Sequence, residues 1–298
     1  MILLDVALSI AFLIILPQVL HSYKGLDAVP RTGLALWGLV CVVGWLSVVS
    51  TFLRIAIGAN QGSLARALVR FAEKLGNGHP LRGLGLSEVV GFSIAVDVVV
   101  LFGGGIVITA WKMWRLRSAQ RAVLDLVSTP LHELDGVCLL AHPQPMAYYL
   151  PGAGGRVVMS TGALEILSDD ELSAVVQHER GHARRHHGAL LIPLQVLSSF
   201  FTFLPIARYA PTAMRSYLEM SADDCAREAG LSNALRDALR KAQLFVPAPQ
   251  GSFAASDLVI ERRIQRLDSK SNVRAQTIQI AFVVSAFLSL VMTLVSTR

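Results

Sequence analysis

The sequence predicts a mainly α protein, with polytopic membrane helices and an inserted α+β domain. Three observations carry this. Hydrophobic residues make up 53% of the 298 and charged residues only 16%, against about 25% charged in an ordinary soluble domain. The apolar residues gather into four runs long enough to cross ~30 Å of hydrocarbon. Between the third and fourth runs the polarity is ordinary, and there the stretch "QHERGHARRHH" (177–187) holds four of the chain's eight histidines.

The first run, about 2–20, has no basic residue ahead of it and carries Asp5 near its start. That predicts a retained anchor rather than a cleaved signal. The second covers about 34–57. The third covers about 89–111, with Asp97 inside it and Trp111 and Trp114 at its end, and the fourth covers about 278–295. The expected organisation is a membrane region with three spans over 1–121, a polar domain over 122–275, and a last span over 276–298. Asp97 is either a functional intramembrane acid or a residue facing a polar gap in the bundle. Lys24, Arg31, Lys112, Arg115, Arg117 and Arg121 flank one side of the spans, against Arg66, Arg70, Lys74 and Arg82 on the other. Six against four places the polar domain in the cytoplasm. The middle loop, 58–88, contains "SLARALVRFAEKL", which reads as an amphipathic helix lying on the membrane surface.

The net charge of +6 is spread through loops and helix ends, with no basic run interleaved with aromatics. These charges read as membrane-flanking positives, so no nucleic-acid partner is expected. An arginine excess of 22 to 5 over lysine suggests a GC-rich bacterial source. Cys41, Cys138 and Cys225 have no paired spacing, which argues against a disulfide framework or a cysteine metal site.

His178, Glu179 and His182 form H-E-x-x-H. On a helix, residues four apart share a face, so both imidazoles can reach one metal ion. Glu179 lies about 100° round the helix, close enough to accept a proton from a coordinated water whose pKa zinc lowers to near 7. This is the chemical logic of a zinc peptidase. The helix is well specified. "SDDE" (168–171) has capping-box spacing, Asp169 and Asp170 complement the helix dipole, and Leu172, Val175 and Val176 give an apolar face. The expected extent is 169–187. His186 and His187 fall outside the four-residue register and read as helix-end histidines.

A catalytic zinc needs a third protein ligand. Downstream, "YLEMSADDCA" places Glu219 and Asp223 four apart on a second polar helix. Glu219 can complete the site, and Asp223 can orient a ligand histidine. The apolar run 189–207 separates the two halves. A single crossing there would put Glu219 across the bilayer from the histidines, and prolines 193, 205 and 211 interrupt the run. It reads as a broken helix, packed in the domain core or dipping into the membrane and returning. Upstream, "MAYYLPGAGGRVVMSTGALEIL" holds two strand-like runs around a Gly-rich turn. Ala147, Tyr148 and Tyr149 in the first run are candidates to bind an extended peptide as an added strand. An ordinary supporting hairpin is the plainer, compatible reading.

Over about 146–228 these residues resemble membrane zinc peptidases of the gluzincin type, and within them the BlaR/MecR antirepressor peptidases. The HtpX-type family shares much of the same core. The order of three spans, a peptidase and one more span is similar to the BlaR/MecR plan. The resemblance implies a gluzincin-like zinc peptidase domain with one Zn2+ per chain. His178, His182 and Glu219 would be its ligands, Glu179 the general base, and Asp223 the acid following the ligand glutamate. It also implies a multi-pass protein of the bacterial plasma membrane with a cytoplasmic peptidase. The partners expected are the lipid bilayer and a protein or peptide substrate such as a transcriptional repressor, with a homodimer left open. The β-lactam sensors of that family carry a penicillin-binding domain after the last span. This sequence stops at Arg298 and contains no S-x-x-K, so sensing by acylation is not expected.

Segments 233–244 and 258–267 look helical, and "ERRIQRLDSKS" (261–271) reads as a stop-transfer flank, with a cytosolic collar or self-cleavage region as alternatives. Two other functions stay in view. One is a quality-control protease of HtpX type. The other, from a different class, is a non-catalytic zinc-binding membrane receptor or scaffold. The intact Glu179 argues against the latter, because a structural zinc site has no use for a base.

Overall fold

The structure is a computed structural model that describes residues 2–57, 73, 85–152, 154–245 and 253–268. The fourth span expected at 278–295 and, apart from residue 73, the middle-loop helix lie outside the described residues. The chain is mainly α and, among the described residues, has three helices long and apolar enough to cross a membrane: Ile2–Ser22, Pro30–Ala56 and Leu86–Val127.

The first of these is built from α1 (Ile2–Ile10) and α2 (Leu16–Ser22), joined by a π-helical turn at Ala11–Ile15. A short 3-10 turn, Lys24–Ala28, leads to α3 (Pro30–Ile57). Pro30 suits its first position, where a missing N–H costs nothing. Next comes α4 (Leu86–Val127), 42 residues long. At 1.5 Å per residue it extends ~63 Å, about twice the hydrocarbon thickness. The sequence places the end of the third span near 111. The helix continues because "KMWRLRSAQRAVLDLV" (112–127) contains neither Gly nor Pro, and it carries its charges straight into the polar domain.

Asp97 lies within α4. It is exposed on α4 and has no ion-pair or hydrogen-bond partner among the described residues. Within the spans Asp5 pairs with Arg54 at 2.5 Å, joined by Ser50, and this contact, with the Ser9–Ser47 hydrogen bond at 3.0 Å, ties α1 to α3.

Four short strands follow: β1 (Ser128–Pro130), β2 (Val137–Leu140), β3 (Ala147–Leu150) and β4 (Arg156–Ser160). Their order is β1-β2-β4-β3, with β2 parallel to β4 and the other neighbours antiparallel. β3 is therefore an edge. Ser160 caps α5 (Thr161–Ile166) by accepting the Ala163 N–H. α6 (Asp169–Arg184) starts in a reciprocal capping box: Ser168 N–H donates to Glu171 Oε2 at 2.7 Å, and Glu171 N–H donates to Ser168 Oγ at 3.4 Å.

The sequence extends this helix to residue 187, but it stops at Arg184. His186 takes a left-handed φ of 49° and redirects the chain into α7 (His187–Phe200). α8 (Pro205–Glu228) then returns. The corner between them packs among span residues, with the Phe201 ring 5.7 Å from Trp45 and 6.4 Å from Phe102. Apolar run 189–207 thus descends beside the spans and comes back, which keeps both halves of the site on one side. One core joins Phe12, Trp37 and Val40 of the spans to Leu194, Ile206, Met214 and Met220 of this hairpin. Finally, α9 (Ser232–Phe245) and α10 (Phe253–Asp268) pack against the site helices α6 and α8.

Candidate metal centre

α6 and α8 approach closely because α6 has a glycine where they meet. A Cβ on Gly181 would lie 3.0 Å from the Ala222 Cα. That contact sets His178 and His182, one helical turn apart, opposite Glu219. The two Nε2 atoms are 3.2 Å apart, and Glu219 carboxylate oxygens lie 3.5 Å from each of them. Tetrahedral zinc with bonds of ~2.0–2.1 Å separates its ligand atoms by about 3.3 Å. The three residues could therefore hold a metal ion.

The far side of each imidazole supports this. His178 Nδ1 lies 2.8 Å from Asp223, whose carboxylate is fully buried. His182 Nδ1 lies 2.9 Å from Nδ1 of His187. If each ligand ring donates from Nδ1, both Nε2 lone pairs converge on one point, an arrangement that a cation stabilises. His187 is 2% exposed and is the buried partner of His182, not the helix-end histidine expected from sequence.

A residue outside the sequence expectation completes the shell. Arg263 of α10 donates to Asp223 from Nε at 2.9 Å and from Nη2 at 2.7 Å, and its Nη1 lies 3.2 Å from Glu219. "ERRIQRL" is thus not simply a flank of the last span. Arg263 and Arg266 are buried, alternating with Ile264 and Leu267 in the core. Two arginines in register with two buried aliphatics were the available signal.

The charges are strongly coupled. Burial alone would raise the Glu219 pKa, but His178 and Arg263 outweigh it and hold the group at about 2. Asp223 is likewise held well below the carboxylate range, Arg263 and His178 overcoming its burial. Burial opposes a charge on His178, yet Asp223 and Glu219 bring it to about 9 in the metal-free protein. Burial lowers His182, and burial together with His182 lowers His187 to about 4. Glu179 is raised, chiefly by burial. Its Oε2 accepts the backbone N–H of Tyr149 at 2.9 Å, which places the carboxylate between the metal position and the sheet edge.

The structure therefore brings His178, Glu179, His182, Glu219 and Asp223 together, with Ala147, Tyr148 and Tyr149 alongside on β3. His186 forms the break between helices.

Comparison with known proteins agrees with this geometry. Residues 111–243 match the model of Peptidase family M48. The similar curated proteins are more specific. Protease HtpX homologues from Picrophilus torridus and Thermoplasma volcanium are 34% identical over 68 residues and 33% identical over 64 residues. These alignments take in 23% and 22% of this chain and 22% and 21% of the relatives. The chain thus spans about a fifth of the length of the curated relatives it matches. No solved structure matches significantly.

Proposed function

We propose that this chain is a membrane-embedded zinc endopeptidase. The observation that carries the reading is the convergence of His178, His182 and Glu219 on one point, with Glu179 beside it and pinned to the edge strand. These three residues would hold a zinc ion, which would supply Lewis acidity to water and to a peptide carbonyl. The chain's own residues do the rest. Glu179 takes the proton from the attacking water and delivers it to the leaving amine nitrogen. Asp223 and His187 fix the ring orientation of His178 and His182. The edge of β3 offers the backbone groups of Ala147 and the carbonyl of Tyr149, whose N–H is held by Glu179, to an extended substrate.

The residues flanking the spans support a cell-membrane location with the site facing the cytoplasm. The substrate reading that follows from the BlaR/MecR-like order is regulated proteolysis, such as inactivation of a repressor. The HtpX names of the relatives favour a second reading, quality control of membrane proteins. New protein N-termini compared between cells expressing wild type and Glu179→Gln test both. Termini found only with wild type are expected, in a repressor for the first reading and across many membrane proteins for the second. Identical profiles from two zinc-loaded proteins would overturn the endopeptidase assignment.

A further inference from the structure

We infer that the cleft is divided at the metal centre into an apolar half and a cationic half. It would thereby select an extended segment with a large aliphatic side chain on one side of the cut bond and a carboxylate on the other. This rests on the endopeptidase reading and adds the substrate class to it.

Two cavities of about 460 Å³ each meet at Glu179 and Glu219. The first opens beside Ala147. Val175, one turn before His178 on the same helix face, lines it together with Leu167 of the segment after α5 and Leu239 and Ala242 of α9. Its charged atoms are already engaged, Glu179 and Glu219 at its inner end belonging to the metal centre. Arg263 is bound to Asp223 and Glu219, and His178 to Asp223. A charged side chain entering there would lose water and find no free partner. A leucine or isoleucine would displace water from an apolar wall.

The second cavity opens on the opposite side, beside Tyr148 and Tyr149. Arg117 of α4, Arg215 of α8, His186 and His187 line it. Glycines let the guanidiniums in. A Cβ on Gly188 would lie 2.7 Å from Arg117 Nη2, and one on Gly152 would overlap Arg121. Glu179 and Glu219 are the acids facing this half, and both belong to the metal centre. Arg117, Arg121 and Arg215 have no carboxylate within ion-pair distance among the described residues, whereas Arg31, Arg156, Arg236, Arg262 and Arg263 each have one.

Lipid phosphate is the competing source of negative charge. Arg117, which lines the cavity, lies three residues, ~4.5 Å of helix rise, beyond Trp114, and Arg121 ~10 Å beyond it. The headgroup layer outside an interfacial tryptophan is only about 5–7 Å deep. Arg117 falls within that depth and Arg121 beyond it, so the same cations could meet lipid phosphate or a substrate carboxylate, and the vesicle comparison below tells the two apart. Because β3 passes both cavities, one extended chain added to its edge reaches both.

The test uses full-length, zinc-loaded Glu179→Gln protein in zwitterionic nanodiscs, with binding read by fluorescence anisotropy. Labelled extended peptides carry Leu and Asp flanking the central bond, in both orders. Control peptides replace Leu by Ala or Asp by Asn. One order of the Leu/Asp pair should bind at least ~10-fold tighter than either control, the usual scale of pocket discrimination. Arg117→Ala with Arg215→Ala should erase the Asp preference and keep the Leu preference. Ala242→Phe, which fills the apolar half at its rim, should do the reverse.

Equal binding of Asp and Asn peptides overturns the inference. So does an arginine variant that weakens only association with anionic vesicles, which would assign the cations to lipid. Incubating wild type with the same peptides keeps the two claims apart. Peptides bound in the expected rank but left intact would sink the endopeptidase reading and leave the two subsites standing. Peptides cut without charge preference would do the opposite.

Discussion

Asp223 accepts three hydrogen bonds at 2.7–2.9 Å, two from Arg263 and one from His178, with no solvent exposure. Asp223→Ala therefore has two separable consequences. The first is on folding. It leaves the Arg263 guanidinium, 7% exposed, with Glu219 as its remaining carboxylate. Breaking a buried ion pair from one side costs about 3–5 kcal/mol. The second is on the metal. Without its Nδ1 acceptor, the His178 ring loses its fixed tautomer and orientation, and zinc affinity falls by about 10–100-fold, or ~1.4–2.8 kcal/mol. The double variant Asp223→Ala/Arg263→Met separates these effects. Removing both charges relieves the orphaned cation, so stability returns most of the way, whereas His178 still lacks its acceptor and zinc affinity stays low. Denaturant unfolding of the metal-free protein reads the first term, and competition with a fluorescent chelator reads the second. If zinc affinity recovers together with stability in the double variant, Asp223 is a folding residue and its role in orienting His178 is wrong.

Three further outcomes are expected. Gly181→Ala places a methyl 3.0 Å from the Ala222 Cα; backbone cannot yield as a side chain can, so α6 and α8 separate, with a loss of ~1–3 kcal/mol and weaker zinc binding in the same chelator assay. His187→Ala removes the partner of His182 Nδ1 and should weaken zinc about 10-fold, with His187→Gln, which keeps an acceptor, closer to wild type. The third concerns Glu171. Burial pushes its pKa up, but Lys241 at 2.6 Å and Ser168 win and hold it below the ordinary glutamate value. A carboxylate depressed in the folded state stabilises above its unfolded pKa, and that contribution disappears as pH falls through the folded value. Lys241→Met should therefore be less stable than wild type at neutral pH, and the gap should close as pH falls through the depressed folded-state pKa of Glu171, as read by thermal unfolding across pH.

The site helix was legible because its signals are local. The capping box at Ser168, the acids of its first turn and the His178/His182 spacing are all matters of one helix and its period. Glu219 and Asp223 could be found because a ligand set with two histidines leaves a vacancy that an acid four residues from another acid can fill. Arg263 was hidden by context. A charged stretch ahead of an apolar run has a ready explanation as a membrane flank, and only packing shows that Arg263 points inward. His187 was misjudged because the helix was extended through it. The left-handed turn at His186 swings the next ring back onto His182, and no i, i+4 rule anticipates that. β1 and β2, at three and four residues, are too short to carry a period. The end of α4 was missed because hydropathy marks where a helix leaves hydrocarbon, not where it stops.

The spans are part of the site's construction. Tyr217 and Met220, which bracket Glu219, sit in the same core as Phe12, Trp37 and Val40. Gly33 of α3 has no side chain, and the Tyr217 ring occupies that space, 3.0 Å from where a Cβ would stand. On the other flank, Arg262 pairs with Asp27 in the turn between the first two spans, while its neighbour Arg263 holds Asp223. The loop between the first two spans is thus two residues' reach from Asp223, which bonds His178, and α8 carries Glu219 on a helix whose opposite face is buried in the membrane helices. A displacement of the first two spans relative to α8 would have to repack Tyr217 and Met220 or break Asp27 from Arg262. Either change moves a residue adjacent to Glu219 or to Arg263. Metal geometry and span geometry are for that reason one mechanical problem, and a fragment cut at the end of α4 would expose the apolar face of α8 and lose both restraints together.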